Sequence, residues 1–227
     1  MLSSFYDKEN FDLEIGVDES GRGPLFGRLY VSAVVFPKEN EAFRENPLYI
    51  SIKDSKKFVG KKAKQKIREV ATFIKESALA YSIQYVEHDV IDRINIREAV
   101  LMAMKQCIDE ILSKVCSTDT SILLLIDGND FRPYMKIETD CEWREIPHIC
   151  IEQGDGKYIS IASASILAKV ARDDYILDIC EKNPELVERY QLNTNMGYGT
   201  KAHMDGIRQY GISHWHRRSY GICKQTK

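Results

Sequence analysis

Apolar residues recur along this chain with two periods, and the switches between them outline an α/β protein. Leu13, Ile15 and Val17 alternate with other residues and predict a strand running to Asp18. Leu29 to Phe36 predicts a second strand, and the Gly-rich segment between the two implies a hairpin-like pair. Lys38 to Tyr49 is polar and reads as a loop. Helical spacing then appears from Gly60 to Ser77, with Ile67, Val70, Ala71 and Ile74 on one face. Ala78 to Val86 predicts a third strand. Asn95 is placed to cap a long amphipathic helix whose apolar face includes Ile96, Val100, Met104, Cys107 and Ile111.

The second half changes character. Ser121 to Asn129 is a continuous apolar run that ends in Asp-Gly-Asn, the pattern of a strand covered on both faces. Ile146 to Glu152 predicts a further strand. Tyr158 to Asp174, rich in Ala, Ser, Ile and Leu, predicts a helix buried on most sides, and shorter helices follow at Pro184 to Tyr190 and Lys201 to Tyr210. Strands and helices in this order predict a mixed-direction sheet flanked by helices.

With 227 residues, 44% of them hydrophobic and 29% charged, the chain has material for a substantial core and the balance of an ordinary globular protein. The N-terminus has no basic segment followed by an apolar one, and the longest apolar run, Ile122 to Ile126, is far too short to cross a bilayer. A cytoplasmic, soluble protein is therefore expected. The cysteines at 107, 116, 141, 150, 180 and 223 occur singly, with no C-x-x-C pair, which argues against a zinc ribbon or a disulfide framework. Net charge is −2, but its distribution is uneven. Lys53 to Arg68 is strongly basic with Asp54 as its one acid, and Lys201 to the end is basic again. Two such patches on a slightly acidic chain point to a polyanion-facing side, although a solvated helix face accounts equally well for the first.

The segment "IGVDESGRGPLFG" sets Asp18 and Glu19 at the end of a strand, then almost no side chains except Arg22. Charges in a sheet and glycines beside it break local folding rules, and such breaks gather at functional sites. Asp127 ends the buried fourth strand, and Asp155 is bracketed by glycines just before the buried helix. In α/β sheets, sites collect at the carboxyl ends of strands. Four converging carboxylates need a cation, and an all-oxygen set favours Mg²⁺ or Mn²⁺ over zinc. Two such ions about 3.5–4 Å apart form the usual clamp for in-line attack on a phosphodiester. Singly, Asp127-Gly128 and Asp155-Gly156 fit simple turns, and Gly21-Arg22-Gly23 is a common loop pattern; the combination carries the reading.

The blocks "GVDESGRGPLFG", "DSKK", "LIDGN", "GDGKYISIASASILAKVARD" and "GYGTKAHMDGIRQYGISHWHRRSY" together resemble type 2 ribonuclease H, the ribonuclease HII family. They run in that family's order from Gly16 to Tyr220. The resemblance implies a ribonuclease H-like fold with a central mixed five-stranded sheet: a catalytic domain over 1–190 and a short helical substrate-binding extension over 191–227. It implies endonucleolytic hydrolysis of the RNA strand of RNA/DNA hybrids and incision 5′ of single ribonucleotides in duplex DNA, giving 5′-phosphate and 3′-hydroxyl ends. The alternative is a member of the same fold that binds nucleic acid without cutting it.

By the same resemblance, Asp18, Glu19, Asp127 and Asp155 are the catalytic acids that bind two Mg²⁺ or Mn²⁺ ions. Gly21, Arg22 and Gly23 contact the substrate through their backbone, Ser55 and Lys56 lie near its phosphates, and Tyr198 packs on the sugar beside the ribonucleotide. The chemistry fits. A 2′-hydroxyl is what separates RNA from DNA at one position, and reading it through backbone groups requires a close approach that glycine permits. Arg22 offers a guanidinium fork for phosphate. Two departures stand out: Gln153 where the family usually has lysine, and Arg28 where proline is common. The tail "ICKQTK" has no hydrophobic-aromatic box, so no tail-mediated sliding-clamp binding is expected; the protein is expected to be a monomer.

Overall fold

A computed structural model describes residues 2–38, 41–53, 61–115, 120–137 and 142–225. Strand β1 (Leu13–Ser20) pairs antiparallel with β2 (Leu29–Val35), Val17 facing Ala33 and Asp18 facing Ser32. The expected loop after β2 holds a short helix, α1 (Glu41–Glu45); Phe43 sets its ring against Phe36, Tyr49 and Phe73, and this aromatic stack orders a segment whose polar surface suggested none. Helix α2 (Lys61–Ser77) follows, then β3 (Ala80–Val86), antiparallel to β2.

A helix that the sequence pattern did not reveal, α3 (His88–Ile94), precedes the long α4 (Ile96–Val115). Asn95 caps α4 as expected, its side-chain oxygen accepting from the Glu98 N–H at 3.1 Å. Strand β4 (Ile122–Asp127) lies parallel to β1, with Val17 opposite Ile126. The expected strand over 146–152 is shorter and is divided. Ile146 belongs to a separate hairpin of β5 (Tyr134–Ile137) and β6 (Trp143–Ile146), and only β7 (His148–Ile151) joins the main sheet, parallel to β4. Pro147 separates the two: it has no N–H to continue a ladder, and its carbonyl accepts from Leu124 N.

The main sheet has five strands in the order β3-β2-β1-β4-β7, with three parallel neighbours at one side and two antiparallel strands at the other. One face packs on α4 through Ile15, Val17, Leu124 and Ile126. The other face packs on α5 (Ile159–Lys182), whose first three turns are almost wholly buried. The close approach of α5 is set by small residues. A Cβ on Gly16 would lie 2.3 Å from the Ser160 carbonyl carbon, so no other residue fits there. The second half of α5 leaves the sheet and packs through Ile176 and Cys180 on α6 (Pro184–Tyr190), α7 (Leu192–Asn195) and α8 (Lys201–Tyr210). No helix of the described residues is long and apolar enough to cross a membrane.

Candidate active site

Three parallel strands, β1, β4 and β7, run toward one edge of the sheet, and an acid stands near the end of each. Val17 and Ile126 are the last paired residues of β1 and β4, so Asp18 and Asp127 are the next residues along neighbouring strands. Alternation turns both toward α5, the face where Gly16 and Leu125 also point. β7 runs into a 3-10 turn, Gly154–Gly156, that holds Asp155. The N–H of Gly154 donates to Asp127 Oδ1 at 2.7 Å, tying this turn to the end of β4.

The surroundings of Asp18 are those of a crowded acid. Its Oδ1 accepts from the Glu19 N–H at 2.7 Å, and the Ser165 hydroxyl of α5 hydrogen-bonds to it. Burial first, then the carboxylates of Glu19 and Asp127, push the Asp18 carboxyl well above the usual carboxylate range. Burial raises Glu19 as well, opposed by the Arg22 guanidinium, whose Nη1 lies 3.2 Å from Glu19 Oε1. Carboxylates that raise one another's proton affinity in this way form a site whose ionised state calls for a cation.

Asp18, Glu19 and Asp127 line a cleft of about 450 Å³ together with Gly21, Arg22, Gly23, Ser165, Lys169 and Tyr198. Three of the four expected acids, the Gly-Arg-Gly turn and the tyrosine thus meet around one space. Tyr198 is 47% exposed, and a Cβ on Gly23 would stand 4.0 Å from its ring. Asp155 is buried in its turn and does not line this cleft. Among the described residues no three acidic, histidine or cysteine side chains stand close enough together to hold a metal ion in this arrangement. Ser55 and Lys56 lie outside the described residues. Gln153 is exposed, in a left-handed conformation at φ 55°.

A larger concavity of about 520 Å³ lies between α4 and the β5–β6 hairpin, around Leu101, Met135 and Trp143. Its one acid, Glu98, is ion-paired with Arg132, so it offers no convergent chemistry.

Two residues that line the acid-lined cleft, and one packed against Gly21, share a helical spacing. Ser165, Lys169 and Arg172 are spaced i, i+4, i+7 along "SILAKVARD" and so form one face of α5, the face turned toward the acids and the glycine turn. His203 and His216 are fully buried and hydrogen-bonded to each other. Arg217 is fully buried, whereas Arg218 is exposed. Arg28 lies over Tyr85 and Tyr175, at 4.0 and 4.4 Å from the ring centroids, and hydrogen-bonds Glu87 through two nitrogens.

Comparison with known proteins bears on the family and the fold. The sequence signature of the family described as Ribonuclease HII matches residues 15–223. A ribonuclease HII from Parabacteroides distasonis is 39% identical over 213 residues, which cover 94% of this chain and 92% of that protein. Among solved structures, the ribonuclease H2 from Pyrococcus horikoshii superposes with a TM-score of 0.69 at 22% identity, covering 94% of this chain and 96% of that one. Bst-RNase HIII, in a structure with Mn²⁺, has a TM-score of 0.69 at 15% identity, covering 96% of this chain and 70% of that one. These two likenesses concern the fold. On the strength of the signature and the sequence identity, the chain belongs to the ribonuclease HII family, a family of metal-dependent endoribonucleases.

Proposed function

We propose that this protein hydrolyses the RNA strand of RNA/DNA hybrids and incises 5′ of single ribonucleotides within duplex DNA, leaving 5′-phosphate and 3′-hydroxyl ends. The observation that carries the reading is the shared cleft: Asp18, Glu19 and Asp127 line the same space as Gly21–Gly23 and Tyr198. Acids beside a glycine turn provide for chemistry and for ribose recognition within one nucleotide's reach.

The donor set fits a hard divalent cation, being all carboxylate oxygen, with Asp18 crowded by two other acids. Asp18, Glu19, Asp127 and Asp155 would hold two Mg²⁺ or Mn²⁺ ions. When bound, such ions activate water and stabilise the leaving oxygen of a phosphodiester. The other residues position the substrate. Glycine at 21, with φ 96°, and the bare backbone of Gly23 let a sugar approach the main chain. Arg22, half exposed at the rim, is placed for a phosphate, and the Tyr198 ring offers a face for the neighbouring deoxyribose. Residues 1–190 form the catalytic unit in this reading, and 191–227 deliver Tyr198 to it. Ser55 and Lys56 are assigned to substrate phosphates.

The test is a panel of duplexes with one ribonucleotide, four ribonucleotides or none, incubated with Mg²⁺ and with Mn²⁺. Cleavage of both ribonucleotide-containing duplexes and not of the third is expected. Equal cleavage of all three would remove ribose recognition, and binding without cleavage in either metal would favour a non-catalytic member of the fold.

A further inference from the structure

Two arginines are buried directly beneath the Gly-Arg-Gly turn. Arg217 is 0% and Arg172 1% exposed. Among the described residues neither has a carboxylate partner; their hydrogen bonds go to main-chain carbonyls. Arg172 Nη2 donates to Met196 O at 2.8 Å, and its Nε, packed against Gly21, has no partner among those residues. Arg217 donates from three nitrogens: Nη2 to Gly21 O at 2.7 Å, Nη1 to Arg22 O at 3.2 Å and Nε to Gly27 O at 2.9 Å. The Tyr220 hydroxyl adds a second donor to Arg22 O at 3.0 Å. Burial pushes the Arg217 guanidinium down to about 10, which leaves it charged at neutral pH. Burying a charge without a counter-charge is costly, so the pattern calls for a reason.

The reason lies in peptide geometry. A trans peptide is planar, and its N–H points opposite to its C=O; the described chain has no cis peptide. Holding the carbonyls of Gly21 and Arg22 down onto the buried guanidinium therefore turns the N–H groups of Arg22 and Gly23 up, to the side on which these residues line the cleft. Neither N–H has a hydrogen-bond partner among the described residues. Successive main-chain donors at a turn with one positive φ make a cradle for an electronegative oxygen, and a cation beneath them strengthens it. We infer that Arg217 is a positioning residue for ribose recognition, aiming the Arg22 and Gly23 N–H groups at the 2′-oxygen of the ribonucleotide, with Tyr220 as its auxiliary. The inference rests on the proposed ribose-reading function.

Binding measured in Ca²⁺, to slow cleavage, compares a duplex carrying one ribonucleotide with the same duplex in all-DNA form. The ratio of the two affinities isolates the 2′-oxygen. Arg217→Lys keeps the charge but cannot fork to three carbonyls. It is expected to lower that ratio by about tenfold, the worth of one to two hydrogen bonds, while all-DNA affinity stays within about twofold. Tyr220→Phe, which removes the single hydroxyl, is expected to lower the ratio by about threefold with the fold intact by circular dichroism. A ratio kept at the wild-type value in both variants, or in Tyr220→Phe alone should Arg217→Lys not fold, overturns the inference and leaves the ribonuclease reading standing. A wild-type protein with equal affinity for the two duplexes refutes the ribose-reading function and the inference with it.

Discussion

His203 and His216 meet Nε2 to Nε2 at 3.0 Å in the interior, and the hydrogen bonds around them fix which nitrogen carries each proton. The Ser213 N–H donates to His216 Nδ1 at 2.9 Å, so that nitrogen keeps its lone pair. His216 must then carry its proton on Nε2 and donate it to His203 Nε2. His203 in turn donates from Nδ1 to the Tyr198 carbonyl at 3.0 Å. The chain of donors runs one way, from Ser213 to Tyr198, and requires both rings to be neutral.

A pH dependence of stability follows. Burial, with His203 as a second cause, pushes His216 down to about 3 from its ordinary 6.5. Burial also lowers His203. Between these values the unfolded chain binds a proton that the folded chain does not, so stability rises with pH across that window and is lost as pH falls through it. At pH 5 the loss attributable to His216 is about 2 kcal/mol relative to pH 7.5. Urea melts at the two pH values measure it. His216→Gln is expected to be less stable at pH 7.5 yet to show a shallower fall toward pH 5. An unchanged slope would contradict the neutral pair.

Much of this architecture is legible in the sequence because a single period governs each long element. The apolar run Ile122–Ile126 and the face of α4 specify their own burial. What escaped notice depends on partners distant along the chain. Phe43 lies in a polar segment and becomes part of a helix only through Phe36 and Phe73. Strands β5 and β6 pair with each other outside the main sheet, so strand pattern alone did not separate Ile146 from β7. Of the proposed site, the acids could be read because carboxylates at strand ends are conspicuous. Arg217 could not, since an arginine in a basic tail gives no sign that it will be buried 190 residues away against Gly27. The tight contact at Gly16 was equally hidden. Gly16→Ala is expected to cost about 3 kcal/mol or more, because a methyl group would meet main-chain atoms that cannot yield, and a thermal melt checks it.

The proposed metal role of Asp127 is separable from its structural one. Its Oδ1 accepts from the Gly154 N–H, and the oxygen of an asparagine can do the same. Asp127→Asn should therefore leave the thermal midpoint nearly unchanged. It should lower turnover by about 100-fold or more, since a neutral amide is a poor donor to a hard cation worth several kcal/mol in the transition state. Calorimetric titration with Mn²⁺ should show weakened binding in the same variant. Full turnover in Asp127→Asn would exclude the role.

Arg22 is half exposed and touches Glu19 at 3.2 Å, a contact that costs little to break at the surface. If it binds phosphate, Arg22→Ala should weaken binding to every duplex in proportion. It should also reduce the dependence of log K on log salt by about 0.9, one released counterion. Titrations from low to moderate salt measure this, and an equal slope in the variant would place the guanidinium away from the backbone.

Tyr198 is tied to its place by the main chain rather than by its side chain. Its carbonyl accepts from His203, Gly197 before it adopts φ 80°, and its ring rests 5.5 Å from the Arg172 guanidinium. Its hydroxyl has no hydrogen-bond partner among the described residues, whereas its ring faces the cleft. In the proposed reading the face of the ring, not the hydroxyl, meets the substrate. Tyr198→Phe should cut a single-ribonucleotide duplex nearly as well as the native protein. Tyr198→Ala should lose about 10- to 100-fold on that duplex, the scale of one stacking contact, because the deoxyribose after the lone ribonucleotide loses its platform. On a continuous hybrid the next sugar carries a 2′-hydroxyl that would crowd the ring, so the native protein should gain less from it and the alanine variant lose less. Steady-state cleavage of both substrates by the three proteins decides the matter: an equal loss on both would mean that Tyr198 supports the fold of the cleft and does not read the junction.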